Sequence, residues 1–183
     1  MTSDGIVDEI LSTFGRCGHL DYGEHISMQE HMLQSAFIAQ SHGEPEPVIV
    51  ATLLHDYGHL ICNLPNQVFA QGRDNYHEDV GADVLASWFG PEIVAPIQLH
   101  VEAKRYLCAT DPAYESDLSA ASKTTLIIQG GRMNYEERQA FLKRRGSAMA
   151  LKVRQYDDLG KQPTMERPEL DYYVPIIRRC LMT

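Results

Sequence analysis

Several features that define other protein classes are missing from these 183 residues. The four cysteines are scattered and form no CxxC pair, which predicts reduced cysteines in a cytoplasmic protein. The net charge is -9, and the sequence contains no long run of Lys or Arg. Neither nucleic acid nor an anionic membrane is therefore an expected partner. No signal peptide is evident, and no apolar window is long enough to span a membrane.

Strand signals are also weak, whereas helical spacing recurs along the whole chain. An apolar content of 44% with 22% charged residues is typical of a soluble globular protein, and the length suits a single domain over residues 1–183. We therefore predict an all-α fold, with loops over about 61–75 and 108–117. The predicted helices cover about 5–14, 27–41, a segment opened by Pro45 and Pro47, 76–89, 91–106, 119–128, 135–143, 147–159 and 168–179.

The stretch from Leu54 to Leu60 contains a histidine and an aspartate side by side, His55 and Asp56, followed by His59. An apolar run precedes it and predicts a buried helix that carries the pair into the interior. Because His55 and His59 are four residues apart, we expect them to share a helical face. Buried histidine and aspartate must both be satisfied, which favours a metal site. A capped helix end with an ordinary core histidine is the alternative.

Other histidines fall on the inward faces of predicted helices. His77 aligns with Val80, Gly81, Val84 and Trp88 at helical spacing, which places it on an apolar face. Metal coordination would remove the cost of burying so many imidazoles, and a ligand set without thiolate suits iron, manganese or zinc. We assign His19, His25 and His42 to the surface. The inward candidates are His31, His55, Asp56, His59, His77, His100 and Asp157.

The order of these residues resembles the H…HD…D pattern of the HD-domain superfamily, an all-helical bundle. Most members of that superfamily are metal-dependent phosphohydrolases. The additional His77 and His100 look like the subset with two metals, in which the Asp of the HD pair bridges the ions. The resemblance implies a first ion held by His31, His55, Asp56 and Asp157, and a second held by Asp56, His77 and His100.

The residues around this pattern resemble a narrower group, the mixed-valent di-iron oxygenases of the PhnZ type. The similarity rests on Tyr22, Glu24, His59, Lys104, Ser122, the turn Gln129-Gly130-Gly131, and Arg154 three residues before Asp157. It implies two iron ions, active as Fe(II)/Fe(III), that use O2 to cleave the C–P bond of a 1-hydroxyphosphonate. The implied substrate carries an amino or trimethylammonio group, and the implied products are phosphate and glycine or glycine betaine.

The same resemblance implies roles for the individual residues. A phosphonate dianion needs several donors, which His59, Lys104, Ser122, Gln129 and Arg154 would supply. Tyr22, Glu24 and His59 would be catalytic, with the acid occupying an iron position until substrate displaces it. Alternatives from the residues themselves remain: an exposed loop for Tyr22 and Glu24, a solvated helix face for Lys104 and Arg154, a helix C-cap for Gln129, and Asp158 in place of Asp157.

Two other functions compete with the oxygenase. An HD phosphohydrolase would use a metal-activated water on a small phosphate ester and needs fewer of these residues. A non-enzymatic HD module would need no open coordination position and no cationic pocket. Under the oxygenase hypothesis the partners are O2 and a small phosphonate, and the protein is a monomer or weak homo-oligomer. The sequence leaves the choice between a primary amine and a trimethylammonium open.

Overall fold

The computed structural model describes residues 2–61 and 74–182, and nearly all of its regular structure is helical. The predicted all-α fold is confirmed, apart from a two-stranded antiparallel ribbon, β1 (Asp21–Gly23) and β2 (Ile26–Ser27). The helices are α1 (Ser3–Cys17), α2 (Met28–Ser41), α3 (Glu46–Leu54), α4 (Tyr57–Ile61), α5 (His77–Leu85), α6 (Pro91–Thr110), α7 (Pro112–Asp117), α8 (Ala120–Ile128), α9 (Tyr135–Lys143), α10 (Ser147–Leu159), a 3₁₀ turn (Leu170–Tyr173) and α11 (Val174–Cys180).

The centre of the molecule is formed by α2, α3, α6 and α10, which pack against one another. The side chains of α3 from Val48 to Leu54 are all buried, as the apolar run predicts. The largest buried cluster includes residues from Ile6 on α1 to Ile177 on α11. A single domain over residues 1–183 stays a prediction. No helix among the described residues is both long and apolar enough to cross a membrane.

The HD pair lies between two helices and not inside one. Helix α3 ends at Leu54, and α4 begins at Tyr57, so His55 and Asp56 occupy the turn that joins them. The expectation of one continuous helical face for His55 and His59 is therefore wrong. Both side chains of the pair lie in the interior, with His55 fully buried and Asp56 5% exposed.

Three other expectations need correction. Residues 108–117 are mostly helical, because α6 continues to Thr110 and α7 starts at once with Asp111 as its N-cap and Pro112 in the first turn. The buried face of α5 is also rotated from the predicted one: Val84 is 41% exposed, whereas Leu85 is fully buried. The C-terminal segment begins with a 3₁₀ turn, so its α-helix is shorter than predicted.

A close contact between two glycines explains the orientation of α5. A Cβ on Gly58 of α4 would lie 1.9 Å from the carbonyl oxygen of His77 and 3.0 Å from the backbone nitrogen of Gly81. Only glycine permits this approach of α4 to α5. The approach brings His59 and His77 into ring contact and fixes which face of α5 is buried.

Candidate metal centre and substrate cavity

Four buried histidines meet in two pairs at the centre of the helices. The Nε2 atoms of His31 and His55 are 3.1 Å apart, and those of His77 and His100 are also 3.1 Å apart. His31 comes from α2, His55 follows α3, His77 begins α5, and His100 lies on α6. The structure thus brings together the four histidines that the resemblance assigns to metal.

The other ring nitrogen of each of these histidines faces a hydrogen-bond acceptor. Three Nδ1–H groups donate to backbone carbonyls: His31 to Gly160 at 2.8 Å, His55 to Thr52 at 2.7 Å and His100 to Ile97 at 2.7 Å. The Nδ1 of His77 lies 3.1 Å from the side-chain Oδ1 of Asn75. Each Nε2 therefore directs a lone pair inward, in the tautomer that metal-ligating histidines adopt.

Asp56 lies between the two histidine pairs and presents one oxygen to each. Its Oδ2 is 3.4 Å from His55 Nε2 and 3.6 Å from His31 Nε2, whereas its Oδ1 is 3.2 Å from His77 Nε2 and 3.5 Å from His100 Nε2. This carboxylate is only 5% exposed. Its position suits a bridge between two cations.

Asp157 joins the first histidine pair, and its neighbour Asp158 does not. The Oδ1 of Asp157 is 3.4 Å from His31 Nε2, and its Oδ2 is 2.7 Å from an Arg154 nitrogen. Asp158 instead forms an ion pair with Arg154 and accepts a hydrogen bond from the Tyr114 hydroxyl. The geometry thus places Asp157, and not Asp158, beside the histidines.

The donor set fits metal ions. Facing lone pairs at 3.1 Å repel unless a cation lies between them, and two nitrogens that bind one ion at about 2.1 Å are about 3.0–3.4 Å apart. Burial alone would raise the pKa of Asp56, but His55 and His77 hold it well below its usual range. Burial likewise opposes protonation of His55, yet Asp56 and Asp157 raise its pKa to about 9. The cluster therefore favours bound positive charge, which a metal cofactor supplies.

His59 is a second candidate for the ion beside Asp56. Ligand atoms of Asp56, His59 and His77 all lie within 4.8 Å of one another, as do those of His31, His55 and Asp157. The His59 ring, however, stacks on His77 with centroids 3.9 Å apart, whereas His100 directs Nε2 at Asp56. Burial and the neighbouring His77 lower the pKa of His59 to about 3, so its ring is neutral.

A cavity of about 340 Å³ opens beside the histidines. His59, His77, His100 and both carboxylates line one end of it. The remaining described wall contains Tyr22, Gly23, Met28, Val101, Lys104, Ala121, Ser122, Thr124, Thr125, Gln129 and Arg154. Metal-binding groups and cationic side chains therefore share one cavity.

The two cations of this wall are deeply buried, which contradicts the solvated-face alternative. Lys104 is 3% exposed and donates from Nζ to Thr125 Oγ1 at 2.8 Å. Burial and the neighbouring Arg154 lower the pKa of Lys104 to about 7. Arg154 is 4% exposed and keeps its charge, because it contacts both Asp157 and Asp158. Lys104 has no carboxylate partner within 4.0 Å among the described residues, and burial of an unpaired cation is costly, so this wall suits an anionic ligand.

Ser122 and Gln129 contribute neutral groups to the same wall. Ser122 is 7% exposed, and its Oγ accepts a hydrogen bond from Lys161 Nζ at 3.1 Å. Gln129 does occupy the C-cap position of α8, but it also lines the cavity. Its Oε1 has no hydrogen-bond partner within the described part of the chain. Both side chains are thus available at the cavity, as the resemblance implies.

The two early-loop residues have different environments. Tyr22 stacks on His31 with centroids 3.8 Å apart, and its hydroxyl is 3.5 Å from Asp157 Oδ1. Tyr22 therefore belongs to the site. Glu24 lies in the turn between β1 and β2 with a φ of 58°, and it is not among the described residues that line the cavity. Its catalytic role stays a prediction.

Sequence reasoning missed several residues that support the site. Lys161 lies 3.6 Å from Asp157 Oδ1 and contacts Ser122, and Tyr114 contacts both Arg154 and Asp158. Asn75 contacts two histidines. The spacing of Lys161 four residues after Asp157 was a weak signal, but Asn75 and Tyr114 lie in segments predicted as loops. His19, His25 and His42 are exposed, as predicted.

Comparisons with known proteins agree with this geometry. The HD domain model matches residues 28–126. The [1-hydroxy-2-(trimethylamino)ethyl]phosphonate dioxygenase (glycine-betaine-forming) of Leisingera caerulea is 42% identical over 96% of this chain and 90% of its own length. The hydroxymethylphosphonate dioxygenase of Gimesia maris is 36% identical over 90% of this chain and 82% of its own length. The chain therefore belongs to the HD-domain family, in the group that contains these phosphonate dioxygenases.

Proposed function

We propose that the protein is a di-iron oxygenase that cleaves the C–P bond of 1-hydroxy-2-(trimethylammonio)ethylphosphonate with O2, giving phosphate and glycine betaine. The observation that carries this proposal is the shared cavity, in which a paired His/Asp cluster adjoins buried Lys104 and Arg154. A single-metal scaffold would need neither the second histidine pair nor the buried cations. The glycine-betaine-forming relative supports the choice of substrate.

The cluster would hold two iron ions. His31, His55, Asp56 and Asp157 would bind one ion, and Asp56, His77 and His100 the other, because their donor atoms converge at the distances given above. When bound, the iron pair would supply the redox and Lewis-acid chemistry that O2-dependent C–P cleavage requires. Two carboxylates cannot neutralise two such ions, so the centre would retain positive charge for an anionic substrate.

The chain's own residues would bind and orient the phosphonate. Arg154 is held by Asp157 and Asp158, so its guanidinium is already positioned for a planar hydrogen-bonded contact. Lys104, His59, Ser122 and Gln129 would add contacts to the phosphonate oxygens or the C1 hydroxyl. Orientation of this kind fixes which substrate atoms face the histidines, and it excludes water from them.

The described cavity wall favours a trimethylammonium over a primary ammonium. The acidic residues that line it within the described ranges are Asp56 and Asp157, and both belong to the histidine cluster. A primary ammonium would need three acceptors, whereas trimethylammonium has no N–H and suits apolar contact. Met28, Val101 and Ala121 supply apolar surface in the same wall.

The test is phosphate release by protein that is purified anaerobically with iron. We expect about two irons per chain and O2-dependent phosphate from the trimethylammonio substrate, with glycine betaine as co-product. The primary-amine analogue and hydroxymethylphosphonate should react more slowly. Phosphate release from simple esters without O2 would instead establish the phosphohydrolase, and preference for another phosphonate would contradict the proposed substrate.

A further inference from the structure

One side chain outside the metal cluster contacts histidines from both α4 and α5. The Nδ2 atom of Asn75 lies 3.2 Å from Nδ1 of His59. Its Oδ1 atom lies 3.1 Å from Nδ1 of His77. Asn75 precedes α5 by two residues, in a segment that the sequence predicted as a loop. Neither the proposed phosphonate contacts nor the proposed metal ligands include it.

The orientation of this amide is fixed by a third contact. The backbone N–H of His77, which can only donate, is 3.3 Å from Asn75 Oδ1. The oxygen must therefore face His77, and the amide nitrogen must face His59. Since the amide nitrogen can only donate, Nδ1 of His59 must accept. In the neutral ring of His59 the proton is consequently on Nε2.

We infer that Asn75 is a positioning residue that holds His59 in the Nε2–H tautomer and thereby prevents it from binding metal. With Nδ1 accepting from Asn75 and Nε2 protonated, neither nitrogen of His59 offers a lone pair to an ion. His100, whose Nδ1 donates to the Ile97 carbonyl, has the opposite tautomer and offers Nε2. The amide thus distinguishes two histidines that both lie near Asp56 and His77.

With Nε2 protonated, His59 is a hydrogen-bond donor among the residues that line the cavity. An Nε2–H group can donate to an anionic oxygen, whereas the other tautomer would present a lone pair and repel it. That this oxygen belongs to a phosphonate rests on the proposed function. The assignment of the tautomer does not depend on the proposed function.

The backbone beside Asn75 is consistent with a position fixed by these contacts. Tyr76 has φ 49° and ψ 39°, a left-handed conformation that is uncommon for a residue other than glycine. Its side chain is 60% exposed, so burial of the Tyr76 ring does not impose the conformation. The bend lets the Asn75 side chain accept from the first backbone N–H of α5 while it reaches His59.

NMR of zinc-loaded protein with isotope-labelled histidine tests the tautomer directly, because protonated and unprotonated ring nitrogens give separate shifts. In the unsubstituted protein we expect Nε2–H for His59, and Nδ1–H for His31, His55, His77 and His100. A His59→Gln variant assigns the signal. An Nδ1–H signal for His59 would overturn the inference. This measurement requires no substrate, so it stands even if the proposed oxygenase activity is not found.

An Asn75→Asp variant tests the cause. The carboxylate keeps the acceptor for His77 but replaces the donor to His59, so His59 should change to Nδ1–H. KM for the phosphonate should rise about tenfold, with a smaller change in kcat. The double variant Asp74→Asn/Asn75→Asp has the original net charge. In the unsubstituted protein the Tyr76 N–H donates to the Asp74 carboxylate, and the amide oxygen introduced at position 74 keeps an acceptor there. The same change of His59 to Nδ1–H and the same rise in KM in this double variant would support the inference. An unchanged His59 tautomer in either variant would overturn it.

Discussion

The two ends of the cavity are built in different ways. At the metal end, His55 and His100 are oriented by carbonyls three residues earlier in the chain, so short segments suffice to orient them. At the phosphonate end, Arg154 depends on Tyr114, and Lys104 on Thr125, which are 40 and 21 residues away in sequence. Three of the four metal-end histidines are thus oriented by local contacts, and His31 is the exception because its Nδ1 donates to the Gly160 carbonyl, 129 residues away. The phosphonate end depends more on how α7 and α8 pack beside α6 and α10.

The sharpest test of this comparison uses two adjacent carboxylates. Asp157→Ala removes a group that faces His31, so we expect loss of iron and a decrease in activity of at least about a thousandfold, or about 4 kcal/mol. Asp158→Ala removes a partner of Arg154 and should keep both irons while raising KM about tenfold. Iron analysis and steady-state kinetics measure both. Equal iron loss in the two variants would contradict the division of roles.

The glycine contact between α4 and α5 supports the metal end through packing. In Gly58→Ala the new methyl group would collide with the His77 carbonyl, so α5 must shift. We expect a loss of about 1–3 kcal/mol in the free energy of unfolding of the metal-free protein, and about a hundredfold lower activity.

Gly15→Ala is the matched control, because a Cβ there would meet no atom within 4 Å. Its position inside α1 predicts slightly higher stability, by about 0.5–1 kcal/mol. Urea unfolding compares the two variants. A Gly58→Ala protein as stable as the Gly15→Ala protein would show that the close approach is not required.

Lys104 should give the phosphonate end a dependence on pH. Since burial lowers its pKa to about 7, the free enzyme carries the ammonium below that pH and loses it above. A phosphonate dianion binds the charged form, so kcat/KM should fall as the pH rises from about 6 to about 9. Lys104→Arg should abolish this decline, because arginine stays protonated.

Lys104→Met removes the charge that Lys104→Arg keeps. It should lower kcat/KM about tenfold below pH 7 and flatten the profile, since no group of suitable pKa remains at that position. Iron content should stay unchanged in both Lys104 variants. A pH profile of the Met variant identical to that of the original protein would assign the decline to another group.

The smallest expected effect concerns Lys161, which contacts the Ser122 hydroxyl and both carboxylates of α10. Lys161→Met should raise KM about threefold, the usual worth of one hydrogen bond, and leave the iron in place. Lys152→Met is the control, because Lys152 pairs with Glu44 on the surface. Inorganic phosphate, tested as a competitive inhibitor, should bind more weakly to Lys161→Met by the same factor and with unchanged affinity to Lys152→Met.

Most of the helices, the HD pair and the histidines that meet around it could be predicted from the sequence. Helical spacing predicts which side of a helix is apolar. Because a buried histidine on that side needs a hydrogen-bond or metal partner, one metal site shared by these histidines could be inferred. Several predicted boundaries agree with the structure, including Tyr135–Lys143, which Asn134 caps, and Ser147–Leu159, which begins after Gly146. The family resemblance added the cations, and the comparisons bear out the family.

The finer arrangement of the site depends on how the helices pack against one another. The spacing from Arg154 favours Asp157 over Asp158 in the sequence, and the structure separates their roles because Asp157 faces His31 whereas Tyr114 from α7 contacts Asp158. The rotation of α5 depends on the approach of Gly58, which lies on another helix. His59 and His100 differ in which ring nitrogen accepts or donates, and that depends on Asn75 and on the Ile97 carbonyl. Apart from the local contact of His100 with Ile97, these contacts join segments distant in sequence, which periodicity along a single helix does not encode.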